Sequence, residues 1–278
     1  MGIVNVTPDS FSGDGILKEG EPPSKQVIDR AVAQATLFLA EGADIIDIGG
    51  ESTRPGAATV GAEKESSRVV PVIRRLRQLT DAPISIDTYK AVVASAALDA
   101  GADLVNDVWG LQRDPALGPL IAERGIPVIL THNRSKLKDA EMQNRLGGRY
   151  VQAPYGDLMA DITRELRDRV DQAVTAGIGR ERIIIDPGIG LCKTVEQNLK
   201  LLNQIDALRA LRLPILLGPS RKSFIGYTLD LPPAERLEGT AAAVAIAIVR
   251  GGADIVRVHD VRFIARLVRM TDAIIRAG

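Results

Sequence analysis

The sequence predicts a (β/α)8 barrel, built as a single domain over residues 1–278. Three observations carry this expectation. Short apolar runs rich in Ile and Val alternate eight times with longer amphipathic stretches, the pattern of a parallel sheet covered by helices on its outer face. From Asn5 to Arg257 there are seven steps of roughly 36 residues each, the size of a βα repeat. The 278 residues also sit near the roughly 250 typical of a closed eight-unit barrel. An open doubly wound sheet is the other arrangement available to such units; the count of eight favours closure.

Strand one is Gly2–Val6, which breaks at Thr7-Pro8 into a polar, glycine-containing loop. The first helix covers Ser24–Glu41. Ser24 suits the N-cap, Val27, Ile28, Ala31, Ala35, Leu37 and Leu39 form its apolar face, and Gly42 stops it. Strand two, Ala43–Ile48, leads into the loop Gly49-Gly-Glu-Ser-Thr-Arg-Pro-Gly56 and a helix over Glu63–Leu79. Strand three is Pro83–Ile86, followed by Asp87-Thr88 and helix Lys90–Ala100. Strand four, Asp103–Val105, ends in Asn106-Asp107 before helix Pro115–Arg124. Strand five, Pro127–Leu130, ends in Thr131-His132-Asn133. The polar stretch Arg134–Gly156 reads as an extended surface loop, an insertion with room for a short helical piece, and helix Leu158–Ala176 follows. Strand six, Arg182–Ile185, ends in Asp186-Pro-Gly188 and precedes helix Val195–Leu208. Strand seven, Pro214–Leu217, runs into Gly218-Pro-Ser-Arg-Lys222 and then helix Ala234–Arg250. Strand eight, Asp254–Val258, ends in His259-Asp260, and helix Val261–Ile275 closes the chain.

Charge and composition narrow the function. Thirty-five basic and 35 acidic side chains cancel, so there is no global basic field for nucleic acid or membrane. A single cysteine, Cys192, excludes an intrachain disulfide framework and fits a reducing compartment. Two histidines cannot build a His-rich zinc site. No apolar run is long enough to span a bilayer and no signal peptide is legible, so the cytoplasm is the expected location. Gly190-Leu-Cys-Lys-Thr194 imitates the end of a phosphate-binding loop, but Cys192 stands where that motif needs Gly. Cys192 reads as a packing residue, with no base evident beside it.

Every predicted strand hands over a polar group at its carboxyl end: Asn5, Asp47, Asp87, Asn106 with Asp107, His132 with Asn133, Asp186, Ser220 with Arg221 and Lys222, and Arg257 with His259. In a closed barrel such positions face one mouth. Polar groups buried there without partners would each cost about 1–3 kcal/mol, so folding alone does not account for the set. Helix capping is an equal explanation for Asp87 and Asp260. Asp87, Asn106 and Asp186 are acceptor-rich and suit a flat heterocycle presenting several N–H donors. Arg221, Lys222, Arg257 and His259 come from strands seven and eight, where barrels often hold phosphate. Arg54 adds a cation above the mouth, and Arg257 can instead stack on a flat ring. The ligand implied is a nitrogen heterocycle joined to a phosphate-type anion. Mg²⁺ held by Asn5 and ligand phosphates is compatible with this set.

The same residues carry a family likeness. Gly2-Ile-Val-Asn-Val-Thr-Pro-Asp-Ser-Phe-Ser12, Ile46-Asp-Ile-Gly-Gly-Glu-Ser-Thr-Arg-Pro-Gly56, Ser85-Ile-Asp-Thr88, Val105-Asn-Asp107, Asp186-Pro-Gly-Ile-Gly190, Ser220-Arg-Lys-Ser-Phe-Ile-Gly226 and Arg257-Val-His-Asp260 occur in order over nearly the whole chain. With these motifs the chain resembles the dihydropteroate synthases. That resemblance implies a (β/α)8 barrel and a homodimer. It implies transfer of 4-aminobenzoate onto 6-hydroxymethyl-7,8-dihydropterin diphosphate, releasing diphosphate and giving 7,8-dihydropteroate for folate biosynthesis. By position, Asp87, Asn106, Asp186 and Lys222 are expected to hold the pterin, with Arg257 against its face. Asn5 is expected to ligate Mg²⁺, and Thr53, Arg257 and His259 to hold the diphosphate. Phe11, Arg54, Pro55 and Ser223 are expected to shape the aminobenzoate site as two loops close. The implied reaction is dissociative: diphosphate leaves the CH2, the dihydropterin supports the cation, and the neutral amine attacks without a side-chain nucleophile.

The chain departs from the family pattern in four places. Asn133 follows His132 where the family usually has Met, which implies a more polar wall beside the pterin. Leu191-Cys-Lys193 replaces Phe-Gly-Lys, which implies an altered backbone approach. Ser12-Gly-Asp-Gly15 replaces Ser-Asp-Gly-Gly, so Asp14 is expected to fill the acidic role from a shifted position. The sequence opens directly on strand one, where the family often carries a preceding segment. A pterin-binding methyltransferase serving a corrinoid partner and a non-catalytic pterin-binding homologue would share the same acids and remain the alternatives.

Overall fold

A computed structural model of the chain describes residues 1–8, 15–17, 23–52, 57, 59–135 and 140–277. In chain order the strands are β1 (Gly2–Asn5), β2 (Ile46–Gly49), β3 (Ile84–Asp87), β4 (Leu104–Asp107), β5 (Val128–Thr131), β6 (Ala140–Gln143), β7 (Gly147–Tyr150), β8 (Ile183–Asp186), β9 (Leu216–Leu217) and β10 (Ile255–Val256). Strands β1 to β5 and β8 form one parallel sheet in that order, and β9 pairs parallel with β10. The two sheets join at both edges through parallel bridges, Ile185 to Ile215 and Gly2 to Val258. At these seams Ile185 N–H donates to Pro214 O (2.9 Å) and Ile3 N–H to Val258 O (3.1 Å). The eight parallel strands therefore close into the expected barrel.

Outside it run α1 (Lys25–Ala40), α2 (Ala62–Arg77), α3 (Ala91–Asp99), α4 (Leu117–Arg124), α5 (Leu158–Thr175), α6 (Val195–Asn203), α7 (Ser223–Leu229), α8 (Leu237–Val249) and α9 (Val261–Arg276). Local chemistry sets their ends. The Ser24 hydroxyl caps α1 by accepting from Val27 N–H, and Thr194 with Gln197 closes a reciprocal capping box on α6.

Side chains alternate between the two faces of each strand. Val4, Ile46, Ile48, Ile84, Ile86, Val105, Val128, Leu130, Ile183 and Ile185 point outward and pack beneath the helices. The inward set begins with an apolar plug of Met1, Leu104, Ile129 and Leu216, supported by Ile45, Ile184 and Ile255. Further along the strands the same inward parity reaches Asn5, Asp87, Asn106, Thr131, Asp186 and Arg257, which line the carboxyl mouth.

Three local expectations are corrected. Among its described residues the Arg134–Gly156 insertion holds an antiparallel hairpin, β6 with β7, rather than a helical piece; its tip is pinned by the buried Arg236, which donates to Leu146 O at 2.9 Å. The segment after strand seven contains α7, and α8 begins at Leu237 after a 3-10 turn at Pro233–Glu235; Pro232 and Pro233 lack the N–H groups that would run α7 on into α8. The helix expected over Val195–Leu208 gives way after Asn203 to a 3-10 segment, Ile205–Leu211.

Candidate active site

One cavity occupies the carboxyl mouth of the barrel, and the expected residues Asn5, Asp87, Asn106, Asp186, Lys222, Ser223, Arg257 and His259 all line it. Their convergence follows from parity: each is an inward residue at a strand end or stands just beyond one.

Arg257 is the electrostatic centre of the floor. Its Nε donates to Asp47 Oδ2 (2.5 Å) and its second guanidinium nitrogen to Asp87 Oδ2 (2.7 Å). Asp47 Oδ2 also accepts from Asn106 Nδ2 at 3.2 Å. Burial disfavours the Arg257 charge, but Asp47 and Asp87 more than offset it and hold its pKa above the ordinary value. The Asp87 pKa is raised as well, but by burial, which lifts its carboxyl to about 7 despite Arg257. These contacts join strands β2, β3, β4 and β10 beneath the ligand space.

Asp186 and Lys222 form the facing wall. Asp186 Oδ1 accepts from Gly188 N–H at 2.8 Å, and burial raises its pKa against the pull of Lys222. Burial brings Lys222 down to about 8, with Asp186 opposing the shift. Lys222 Nζ donates to Ile189 O at 2.5 Å. The side chain crosses Gly190, which has φ +78° and where a Cβ would stand 2.7 Å from Lys222 Cδ; glycine is what lets the lysine stem lie there. Beyond β9, the Ser220 hydroxyl accepts from His259 N–H at 3.2 Å and lies 2.9 Å from His259 Nδ1. Asn5 reaches the cavity with no side-chain hydrogen bond among the described residues.

Other members of the expected ring do not reach the mouth. Asp47 faces inward one layer down, beneath Arg257. Asp107 points outward, where its carboxylate accepts from Trp109 N–H (2.8 Å) and Leu111 N–H (2.6 Å) and caps a turn; burial lifts its pKa to about 6 over those bonds. His132 is wholly buried behind the barrel wall, with Nδ1 3.2 Å from Lys193 Nζ and Nε2 3.1 Å from Glu165. Asn133 is turned away, donating to Val108 O and accepting from Ser135 N–H, so the expected polar wall beside the ligand is not formed. Arg221 pairs with Asp260 rather than entering the cavity. Phe11, Asp14, Thr53, Arg54 and Pro55 lie outside the described residues.

Sequence reasoning missed Thr131, the inward residue that strand five supplies, and Glu51, which lines the cavity from the loop after β2; Ser52, which opens the second of the two loops expected to close over the site, lines it too. Thr131 was legible from parity alone, two positions after inward Ile129. Glu51 pairs with Lys90, which also bridges to buried Glu65. Lys193 is the other omission: its ammonium donates to Gly188 O and Leu191 O at 3.0 Å each and holds the turn beneath the pocket wall.

Among the described residues no group of three or more His, Cys, Asp or Glu could cage a metal ion. The cavity instead offers single oxygens such as Asn5 Oδ1, which fits an ion that takes one or two protein ligands and completes its shell with phosphate and water, as Mg²⁺ does.

Comparison with known proteins agrees with this geometry. Residues 1–259 match the model of the family described as pterin binding enzyme. Dihydropteroate synthase of Bacillus subtilis (strain 168) is 46% identical over 278 residues, covering all of this chain and 89% of the relative. The crystal structure of dihydropteroate synthase from Clostridium difficile in the presence of pteroic acid superposes with a TM-score of 0.85 at 44% identity, covering 99% of this chain and 95% of that one. The Xanthomonas albilineans dihydropteroate synthase in complex with 7,8-dihydropteroate gives 0.81 at 37% identity, covering 99% and 92%. The chain belongs to the pterin-binding enzyme family.

Proposed function

We propose that the protein is a dihydropteroate synthase, a transferase of folate biosynthesis that joins 6-hydroxymethyl-7,8-dihydropterin diphosphate to 4-aminobenzoate. The observation that carries this reading is the division of one cavity into two chemistries. Asp87, Asn106 and Asp186 offer acceptors to a ring rich in N–H donors, while Arg257 and His259 stand beside Asn5 at the strand-eight side. The relatives crystallised with pteroic acid and with 7,8-dihydropteroate hold molecules of this class.

In this reading the pterin lies over the Arg257 guanidinium, which Asp47 and Asp87 hold flat. Asp186 and Asn106 take the ring's N–H groups, and Lys222 donates to its oxygen. Lys222, Arg257 and His259 stabilise the anion that grows as diphosphate departs, the term that lowers such a barrier most. Mg²⁺, when bound through Asn5 and the phosphates, supplies further neutralisation of that charge. Ser223 and the loops carrying Phe11, Thr53, Arg54 and Pro55 complete the aminobenzoate side and exclude water. No strong base is needed, because the attacking arylamine is neutral and the proton it sheds once the C–N bond forms passes to the released diphosphate or to water.

The same reading makes the protein a cytoplasmic homodimer. It is supported by the absence, among the described residues, of a helix long and apolar enough to cross a membrane, and by exposed Ile246, Val249, Phe263, Met270 and Ile274 on α8 and α9. Diphosphate release followed with and without 4-aminobenzoate tests the transferase. Release that depends on the arylamine is expected; release indifferent to it contradicts the reading.

A further inference from the structure

One buried cation takes no part in the chemistry above. Lys193 is 2% exposed and sits behind the wall that carries Asp186 and Lys222, outside the cavity lining. We infer that Lys193 is a positioning residue: from behind the wall it holds the 188–191 turn in the shape that aims Asp186 and Lys222 at the ligand.

The turn is gripped from two sides. In front, Lys222 Nζ donates to Ile189 O at 2.5 Å, and Gly188 N–H donates to Asp186 Oδ1 at 2.8 Å. Behind, Lys193 Nζ donates to Gly188 O and Leu191 O at 3.0 Å each. Leu191 N–H closes the turn on Gly188 O, also at 3.0 Å. Carbonyls of one short turn thus point at lysines on opposite faces. Freeing Gly188 O lets the neighbouring peptide rotate, and that peptide carries the oxygen that fixes Lys222. His132 places Lys193 in turn. Burial works to raise the Glu165 carboxyl, but Arg134 holds it below its ordinary value, and a carboxylate only accepts. His132 Nε2, 3.1 Å from Glu165, is therefore the donor of the neutral ring, and Nδ1 is a bare acceptor 3.2 Å from Lys193 Nζ. The His132 backbone N–H donates to Asp186 O at 2.8 Å, so this rear partner is fixed to the strand that ends in Asp186. Burial lowers Lys193 to about 7, with Asp186 the first charge opposing the shift. Charged or neutral, the head group keeps the N–H bonds that the two carbonyls take. That the ligand is a pterin rests on the function proposed above; the shape of the turn does not.

Lys193→Met removes the donors and keeps the apolar stem. In its ligand-free crystal structure Ile189 O is expected to swing away from Lys222 Nζ. By calorimetry the Kd for 6-hydroxymethyl-7,8-dihydropterin is expected to rise about tenfold, while KM for 4-aminobenzoate at saturating pterin diphosphate moves by less than about twofold. Lys193→Gln, which keeps amide donors on a shorter arm, is expected to lose about threefold in pterin affinity, and it supplies the same readings if the methionine variant does not fold. An unmoved turn overturns the inference. So does pterin affinity equal to that of a pterin-binding wild type, or an equal loss for both substrates, the mark of a generally loosened fold. Wild-type protein that binds no pterin, with the turn displaced in the variant, supports the positioning role and overturns the transferase instead.

Discussion

Cys192 stands with φ +47°, in the left-handed region that glycine occupies without cost. The family resemblance places Gly there, so the chain has kept the glycine backbone while changing the side chain. The thiol is 3% exposed and packs with Tyr150, Ala153 and Tyr155. Relief of strain and loss of packing oppose each other, and Cys192→Gly is expected to change stability by no more than about 1 kcal/mol in thermal melting. His132 is more consequential. Burial and nearby Lys193 lower its pKa to about 3 against the pull of Glu165. Between that value and the ordinary 6.5 the unfolded chain takes up a proton that the folded chain refuses, so stability falls as pH drops through this window. The His132 ring is expected to stay neutral through pH 5 by NMR titration; a midpoint near 6.5 would contradict its placement. At the ligand, Asp186→Ala leaves pterin donors unpaired and should weaken pterin binding ten- to a hundredfold by calorimetry, roughly the 1–3 kcal/mol cost of an orphaned group. The residue scale is where the sequence was hardest to read. A polar residue at a strand end can face the mouth, as Asn106 does, or cap a turn behind it, as Asp107 does, and one position of register separates the two.

At the scale of elements, apolar strands and capped helices were legible because period and N-cap chemistry are local. The β6–β7 hairpin was not, since its strands read Ala-Glu-Met-Gln and Gly-Gly-Arg-Tyr and lack the β-branched residues that mark a strand. What holds it is distant in sequence. Arg236 donates to Leu146 O at the hairpin, to Arg221 O and to Leu231 O, so one buried guanidinium ties the hairpin to the segment that carries Lys222. Arg236→Met is expected to cost about 2–4 kcal/mol by urea unfolding, the loss of several charge-assisted bonds to buried carbonyls, and to reduce turnover through Lys222. An unchanged midpoint would show that the hairpin is held by other contacts.

The whole molecule is a ring whose closure depends on its weakest strands: β9 and β10 are two residues each and meet their neighbours through bridges. The eightfold repeat made that ring legible from the sequence, while the depth of each polar group within it was set by stagger between strands, which no local pattern reports. Asp47 and Arg257, 210 positions apart, meet only because the ring closes. The mouth so formed supplies acceptors, cations and a spare amide oxygen but, among the described residues, no metal cage. Chelation of Mg²⁺ is therefore expected to suppress turnover reversibly, and Asn5→Ala to raise the Mg²⁺ concentration needed; a wild-type magnesium titration in that variant would remove Asn5 from the role. The most direct measurement is the mass of the product made from 6-hydroxymethyl-7,8-dihydropterin diphosphate, 4-aminobenzoate and Mg²⁺ by the purified protein. The expected result is 7,8-dihydropteroate in equal amount with diphosphate. Recovery of only the hydrolysed 6-hydroxymethyl-dihydropterin, or of unchanged substrates, would contradict the function assigned to this cavity.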